Sequence, residues 1–251
     1  MRALAAAALA LAAGPAAAES LTVSLSSERV AITSNYTGSS VVLFGQVERD
    51  AQTVPRAGDY AIVVTVRGPR QAIVVREKAP LGPIWLNREE QKFPNAPAYI
   101  GVFASGPLDK IAHDTVRDRM RIGLDAIVDA PDFTPGGRPD RRFRRALVRL
   151  KDEERLYITN EEGVTFLTPA LFRASVPLPA TAPPGRYEVE VSLLLDGVVL
   201  NRVETRFRLF KMGFEEQVGI IAREWSAVYG LVTAAGALFF GWLASIVFRR
   251  D

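Results

Sequence analysis

His113 is the only histidine in the chain, so any imidazole acid, base or metal ligand must be this one. Asp109 lies one helical turn before it and Arg117 one turn after. No G-x-S-x-G elbow or other nucleophile context supplies the hydroxyl that a Ser/His/Asp site needs. The spacing therefore favours a surface histidine within a helical ladder of charges. Asp109, Asp114, Asp118, Asp125, Asp129 and Asp132 are dense enough to suggest paired carboxylates. They scatter around a helix instead of converging, and no loop carries the D-x-D-x-D-G calcium spacing, so solvated faces are expected. The absence of cysteine excludes disulfides, thiolate catalysis, c-type haem attachment and Cys-ligated metal. With neither a phosphate loop nor a dinucleotide fingerprint, the expectation is a non-enzymatic protein with no catalytic residue, cofactor or metal.

The sharpest charge feature is Arg138, Arg141, Arg142, Arg144, Arg145, Arg149 and Lys151. Guanidinium groups form directed pairs with carboxylate, phosphate or sulfur oxyanions, so this cluster could hold an anion, contact headgroups or dock an acidic partner. The plain alternative is internal pairing with the aspartate-rich helix before it. Near the C-terminus Thr233, Ala237, Gly241 and Ser245 recur every four residues, a small-residue face along which helix backbones can approach closely in lipid.

Both of these features depend on the segments that carry them. From Ser226 to Phe248 the chain has no charge, and at ~1.5 Å per residue it reaches roughly 34 Å, the length of a transmembrane helix. Arg249 and Arg250 follow at once and predict a cytoplasmic tail, 249–251. The opposite end has Arg2, an apolar run from Ala3 to Ala13, Gly14-Pro15 and Ala16 to Ala18. That order is expected of a signal peptide, 1–18, cleaved after Ala18. The two ends together predict a bacterial inner-membrane, single-pass protein whose bulk is periplasmic. Between them, 211–225 carries Phe214, Val218, Ile221 and Trp225 on one helical face, a juxtamembrane segment. The formal charge of +3 falls to about +1 without Arg2, Arg249, Arg250 and Asp251, which leaves no footprint for nucleic acid.

Residues 19–210 read as mainly β, an Ig-like β-sandwich with a helical insertion at about 108–156. LTVSLSS, RVAIT, SSVVLFGQVE, YAIVVTVRG and QAIVVRE are early strands, with Gly68-Pro69 expected to close a hairpin. LFRASVPLP and RYEVEVSLLLDGVVLNRVETRFRLF are late ones, and Asp196-Gly197 is the strongest hairpin signal. Tyr187, Val189, Val191 and Leu193 alternate with Glu188, Glu190 and Ser192, predicting one buried and one wet face. Residues 80–107 look proline-rich and irregular, with one strand near Tyr99 to Ala104. Residues 108–129 place Ile111, Val116, Met120, Leu124, Ile127 and Val128 at helical spacing; 140–156 do so with Phe143, Ala146, Leu147 and Leu150. Two small domains split near residue 135 are the alternative.

GVTFLTPALFRASVPLPATAPPGRYEVEV, KMGFEEQV, YGLVTAAGALFFGWLASIVFRR and GPIWLNREEQKFPNAPAYIGVFASGPL resemble the signature segments of an uncharacterised alphaproteobacterial transmembrane protein family. The resemblance implies the anchored topology and assigns no reaction. It also implies a neighbourhood of sulfite-exporter-type permeases, the TauE/SafE-like proteins. The expected function is a membrane-anchored periplasmic accessory protein that packs on an inner-membrane partner, such a permease or a second copy, within the lipid bilayer. A ligand-binding or envelope-interaction module working through the sandwich loops or the Arg cluster is the alternative, and an anchored hydrolase is the third.

Overall fold

The computed structural model describes residues 19–33, 38–48, 59–130, 140–212 and 226–247. The expected signal peptide, Asp132, Arg138, the segment 213–225, Phe248 and the tail lie outside the described residues. Along the chain the strands are β1 (Ser20–Leu25), β2 (Arg29–Thr33), β3 (Ser39–Glu48), β4 (Ala61–Arg67), β5 (Arg70–Leu81), β6 (Ile84–Pro97) and β7 (Ile100–Ala104). Helices α1 (Leu108–Ile111), α2 (Asp114–Met120), α3 (Leu124–Val128) and α4 (Arg141–Glu153) follow. Strands β8 (Tyr157–Asn160), β9 (Val164–Phe166), β10 (Leu171–Leu178), β11 (Gly185–Leu195) and β12 (Val198–Met212) precede the last helix, α5 (Ser226–Val247).

The fold is mainly β. One sheet runs β1-β3-β10-β9, a second runs β2-β12-β11-β4-β7-β8, and β5 pairs with β6 as a separate ribbon. In the first sheet Val41, Leu43 and Val47 of β3 and Phe172, Ala174, Val176 and Leu178 of β10 are buried in alternation, the period-two pattern that gives a strand one dry face. Gly45 sits opposite Phe172 in this ladder, and a Cβ there would lie 2.2 Å from the phenyl ring, so the missing side chain is what lets the ring lie across β3. In the second sheet β4 is buried on both faces from Ile62 to Val66, which suits its unbroken run of β-branched residues. The Asp196-Gly197 turn closes the β11–β12 hairpin with φ of 49° and 79°, both positive as a type I′ turn requires.

The wet face expected on β11 is only partly wet. Glu188 is exposed, but Glu190 and Ser192 are buried together with Thr65 of β4. Helices cover this outer face, because β7 and β8 pair in parallel and parallel neighbours need a crossover connection. The helical segment expected as an insertion at 108–156 is that crossover, so it belongs to the sheet's own topology. The single helix expected over 108–129 is divided into α1, α2 and α3: Ala112 has an extended backbone and Arg121 a left-handed one. Ile111, Ile127 and Val128 are buried as their spacing predicts, as are Phe143 and Leu147 of α4, whereas Leu150 is exposed. Both flanks of residue 135 fall in one compact unit, Thr37–Leu209 with the N-terminal part to Val30; Ala31–Tyr36 and Phe210–Asp251 form the second.

Gly68-Pro69 does not close a hairpin between β4 and β5, which are unpaired. The Gly68 amide donates to the Tyr99 carbonyl and the Ala98 amide to the Pro69 carbonyl, both at 2.8 Å. These bonds join the β4–β7 ladder to the β5–β6 ladder. The result is one long antiparallel arm that starts inside the second sheet and turns at Gly82 (φ 61°) and Pro83. The stretch expected to be irregular is thus mostly strand β6. Its prolines are accommodated because a two-stranded ribbon is all edge, and an edge position does not need a ladder amide.

Helix α5 is 22 residues long and carries no Asp, Glu, Lys or Arg. Among the described residues no helix is long and apolar enough to cross a membrane.

Three buried tyrosines lock the first unit. Tyr99 donates to the Pro177 carbonyl of the other sheet, Tyr157 to Pro97 and Tyr187 to Pro183, each at 2.8 Å. The last bond runs from the start of a strand to a carbonyl four residues upstream, the geometry of a tyrosine corner. Burial raises the Tyr99 and Tyr157 hydroxyls well above the usual phenol range, so both stay protonated as donors. Because the folded pKa is raised, their contribution is fully present below the unfolded value of about 10 and declines as pH rises beyond it. Tyr157→Phe should therefore cost about 1–3 kcal/mol in denaturant unfolding at neutral pH. It should also flatten the loss of stability on going from pH 9 to pH 11, roughly the range where unfolded tyrosine ionises.

Candidate interaction site

The arginine cluster is positioned by α4, whose first turn is capped by Asp140: its carboxylate accepts from the Arg142 amide at 3.0 Å and from the Arg142 Nε at 2.8 Å. That backbone bond, with the guanidinium beside it, holds the Asp140 carboxyl below the ordinary carboxylate range. The six of these residues that are described, Arg138 lying outside them, do not act as one patch. Arg142 reaches away from the helices to the arm, pairing with Glu77 of β5 at 3.0 Å and with Glu89 of β6. Arg144 is buried and pairs with Asp129 at the end of α3. Arg149 approaches Glu153 at 3.9 Å and Lys151 pairs with Glu154 at 2.7 Å. Of the internal pairing expected with the preceding aspartates, the described residues show Arg144 with Asp129.

Arg141, Arg144, Arg145 and Arg149 also line an open cleft of about 610 Å³ between α3 and α4, with Asp125 and Asp129 on the α3 side and Asp152 on α4 itself. Arg141 and Arg145 are exposed and make no ion pair among the described residues. The Arg144 Nε is buried without a hydrogen-bond partner. A cleft with free guanidinium groups and an unsatisfied N–H can accept an oxyanion, although its own carboxylates compete with one.

His113 is the N-cap of α2: its Nδ1 accepts the Thr115 amide at 3.4 Å. Arg117, placed by sequence in its ladder, pairs with Asp114. Among the described residues no triad geometry forms around the imidazole. A second charge cluster was not legible from sequence. Glu190, on the helix-covered face, is held between Arg67 at 3.1 Å and Arg202 at 3.2 Å, and Arg202 also donates to the Met120 carbonyl at 3.0 Å. It ties the end of α2 to three adjacent strands of the sheet. Register across β4, β11 and β12 could have paired these residues only once the strand order was known.

Thr233, Ala237, Gly241 and Ser245 on α5 are exposed, and a Cβ at Gly241 would meet nothing within 4 Å. Thr233 spends its hydroxyl proton on the Tyr229 carbonyl of its own helix at 2.8 Å, so the face offers close approach more than hydrogen bonding. The arm tip is the feature that sequence reasoning passed over. Ile84, Trp85 and Leu86 are exposed at 53%, 66% and 45%, and the GPIWL run was the available signal.

The Arg142 link makes a specific claim about the arm. Arg142→Ala should leave the unfolding transition nearly unchanged, since exposed ion pairs contribute little. It should raise amide hydrogen exchange in 76–90 several-fold, and Glu77→Gln with Glu89→Gln should reproduce that increase. Unchanged exchange in both variants would show that the arm holds its position without the clamp.

No curated protein and no solved structure matches the chain. A family match covers residues 20–250, nearly the whole length and including the arm, the arginine helix and α5, and by it the chain belongs to the family described as "Putative transmembrane protein (Alph_Pro_TM)".

Proposed function

We propose that this protein is a non-enzymatic, membrane-anchored accessory subunit, with its β domain on the periplasmic side of a bacterial inner membrane. Residues 226–248 cross the bilayer, 249–251 form the cytoplasmic tail, and the small-residue face packs against a polytopic membrane protein. The observation that carries this reading is α5. Its Leu231, Val232, Leu238, Phe239, Phe240, Trp242 and Leu243 are all exposed, with no charged residue among them. Monomeric soluble proteins rarely leave apolar patches of more than a few hundred Å² in water, so this surface calls for lipid or another helix. The family description as a transmembrane protein supports the same reading. Arg249 and Arg250 favour the inward orientation of the tail.

The named face, Thr233, Ala237, Gly241 and Ser245, suits a partner helix because in lipid it is packing that drives helix association, and small residues let backbones approach. A sulfite-exporter-type permease is the partner to test first, with a second copy of this chain as the other case. The cleft between α3 and α4 favours one further reading, capture of a small oxyanion by Arg141, Arg144 and Arg145.

A pull-down of the full-length protein from its native membrane, beside a version ending at Arg223, separates these readings. The accessory reading expects a polytopic membrane protein with the full-length chain alone, and at least tenfold less of it with Gly241→Leu. Equal recovery by both versions would move recognition to the β domain. Recovery by neither, with sulfate or sulfite binding lost in Arg141→Ala plus Arg145→Ala, would favour the oxyanion reading.

A further inference from the structure

The long arm formed by β5 and β6 ends in a tip whose composition differs from its shaft. The ladder pairs Leu81 with Ile84, Pro80 with Trp85 and Ala79 with Leu86, then Lys78 with Asn87. From Ala79 to Leu86, turn included, there is no polar side chain. Below that level every residue from 76 to 78 and from 88 to 90 is charged. Successive residues of a strand point to opposite faces, so Trp85 lies on one side of the ribbon and Ile84 and Leu86 on the other. The tip is apolar all round. A protein groove would cover one face of a ribbon, whereas an apolar medium surrounds both.

The charges of the shaft are sorted in the same direction. Glu77 and Glu89 are neutralised by Arg142, and Glu90 by Arg76 and Lys92. Lys78 and Arg88, the two charged residues nearest the apolar tip, make no ion pair among the described residues and are exposed. They form a basic collar three and four residues, or ~10 and ~13 Å along the strands, from Leu81 and Ile84 at the two ends of the turn, just beyond the ~5–10 Å to which interfacial segments enter the headgroup and acyl boundary. Only the backbone groups that face the partner strand are paired in the ribbon's ladder, so the tip suits the headgroup level, where water and phosphates can meet its outer edges, and not the hydrocarbon core. Trp85, 66% exposed, is the residue type that prefers the bilayer interface.

We infer that the tip of this arm, Ala79 to Leu86, inserts into the surface of an anionic bilayer, with Lys78 and Arg88 contacting lipid phosphates. The contact is independent of a spanning α5, since a tip of this kind meets a membrane whether or not the chain is anchored elsewhere. It would give the first unit an attachment of its own to a bilayer surface.

The chain has no cysteine, so single thiol labels can be placed in the full-length protein. Environment-sensitive fluorophores at Ile84→Cys, at Gln71→Cys near the base of the arm and at Leu238→Cys in α5 would be read in proteoliposomes by quenching from lipid-borne nitroxides. One set of vesicles contains phosphatidylcholine with phosphatidylglycerol, the other phosphatidylcholine alone. The inference expects quenching at 84 but not at 71 in anionic vesicles. Lys78→Gln with Arg88→Gln should shift the inserted-to-free ratio of the tip by about thirty-fold, the effect of two basic residues at an anionic surface. A label at 84 that stays in water while the one at 238 is quenched overturns the inference and leaves the anchor standing. Quenching at 84 without quenching at 238 supports the inference and removes the anchor. Protection of 84 only in native membrane vesicles, and not in pure lipid, would assign the tip to a protein and overturn the inference.

Discussion

A buried hydroxyl has to find an acceptor, and in this protein three of them do so on proline carbonyls. Leaving such a group unpaired costs about 1–3 kcal/mol, so Tyr99, Tyr157 and Tyr187 restrict where three chain segments can run. Tyr99 joins the start of β7 to the far end of β10 in the other sheet; Tyr157 joins the start of β8 to the end of the arm. Tyr187 pins the entry to β11 and stacks on Phe207 with ring centroids 4.9 Å apart. Tyr99 and Tyr187 are themselves 5.7 Å apart. The point where the arm leaves the second sheet is therefore one of the most constrained in the first unit. The long projection grows from a rigid base.

The helices over the outer face follow from the same sheet. Parallel pairing of β7 with β8 obliges the chain to cross over between them, and the crossover brings a charged helical layer onto the face where Glu190 lies. A carboxylate buried there is tolerated because Arg67 and Arg202 meet both of its oxygens. Arg202 then passes the constraint on to α2, and Arg142 extends it from α4 to the arm. Several ion pairs in this domain register one layer on another, while Arg141 and Arg145 in the cleft and Lys78 and Arg88 on the arm are among the exposed cations that make no ion pair among the described residues.

Two exposed apolar surfaces, α5 and the arm tip, suit the same kind of environment by different physical routes. The helix satisfies its backbone internally and presents apolar side chains all round. The ribbon pairs only its inner backbone groups across the strands, which confines it to the interfacial level. Both belong to a chain matched along nearly its entire length to one family of transmembrane proteins.

The sequence alone determined the mainly β class, the I′ turn at Asp196-Gly197, Phe143 and Leu147 on the buried face of α4, and the uncharged 22-residue helix. These depend on local periodicity and on backbone preferences of a few residues, which a linear reading contains. Tertiary structure decided the rest. Whether Gly68-Pro69 turned the chain or let it run on depended on partners about 30 residues away at Ala98 and Tyr99, so no local signal could settle it. The prolines of 80–97 looked irregular because proline weakens a central strand, and only the ribbon's exposed edges made them acceptable. Glu190 and Ser192 alternate as a wet face does, yet they lie under helices that a parallel strand pair placed there. Likewise Arg142 and Arg144, two residues apart in one cluster, point to different layers, because a helix turns about 100° per residue and the layers, unlike the sequence, surround it.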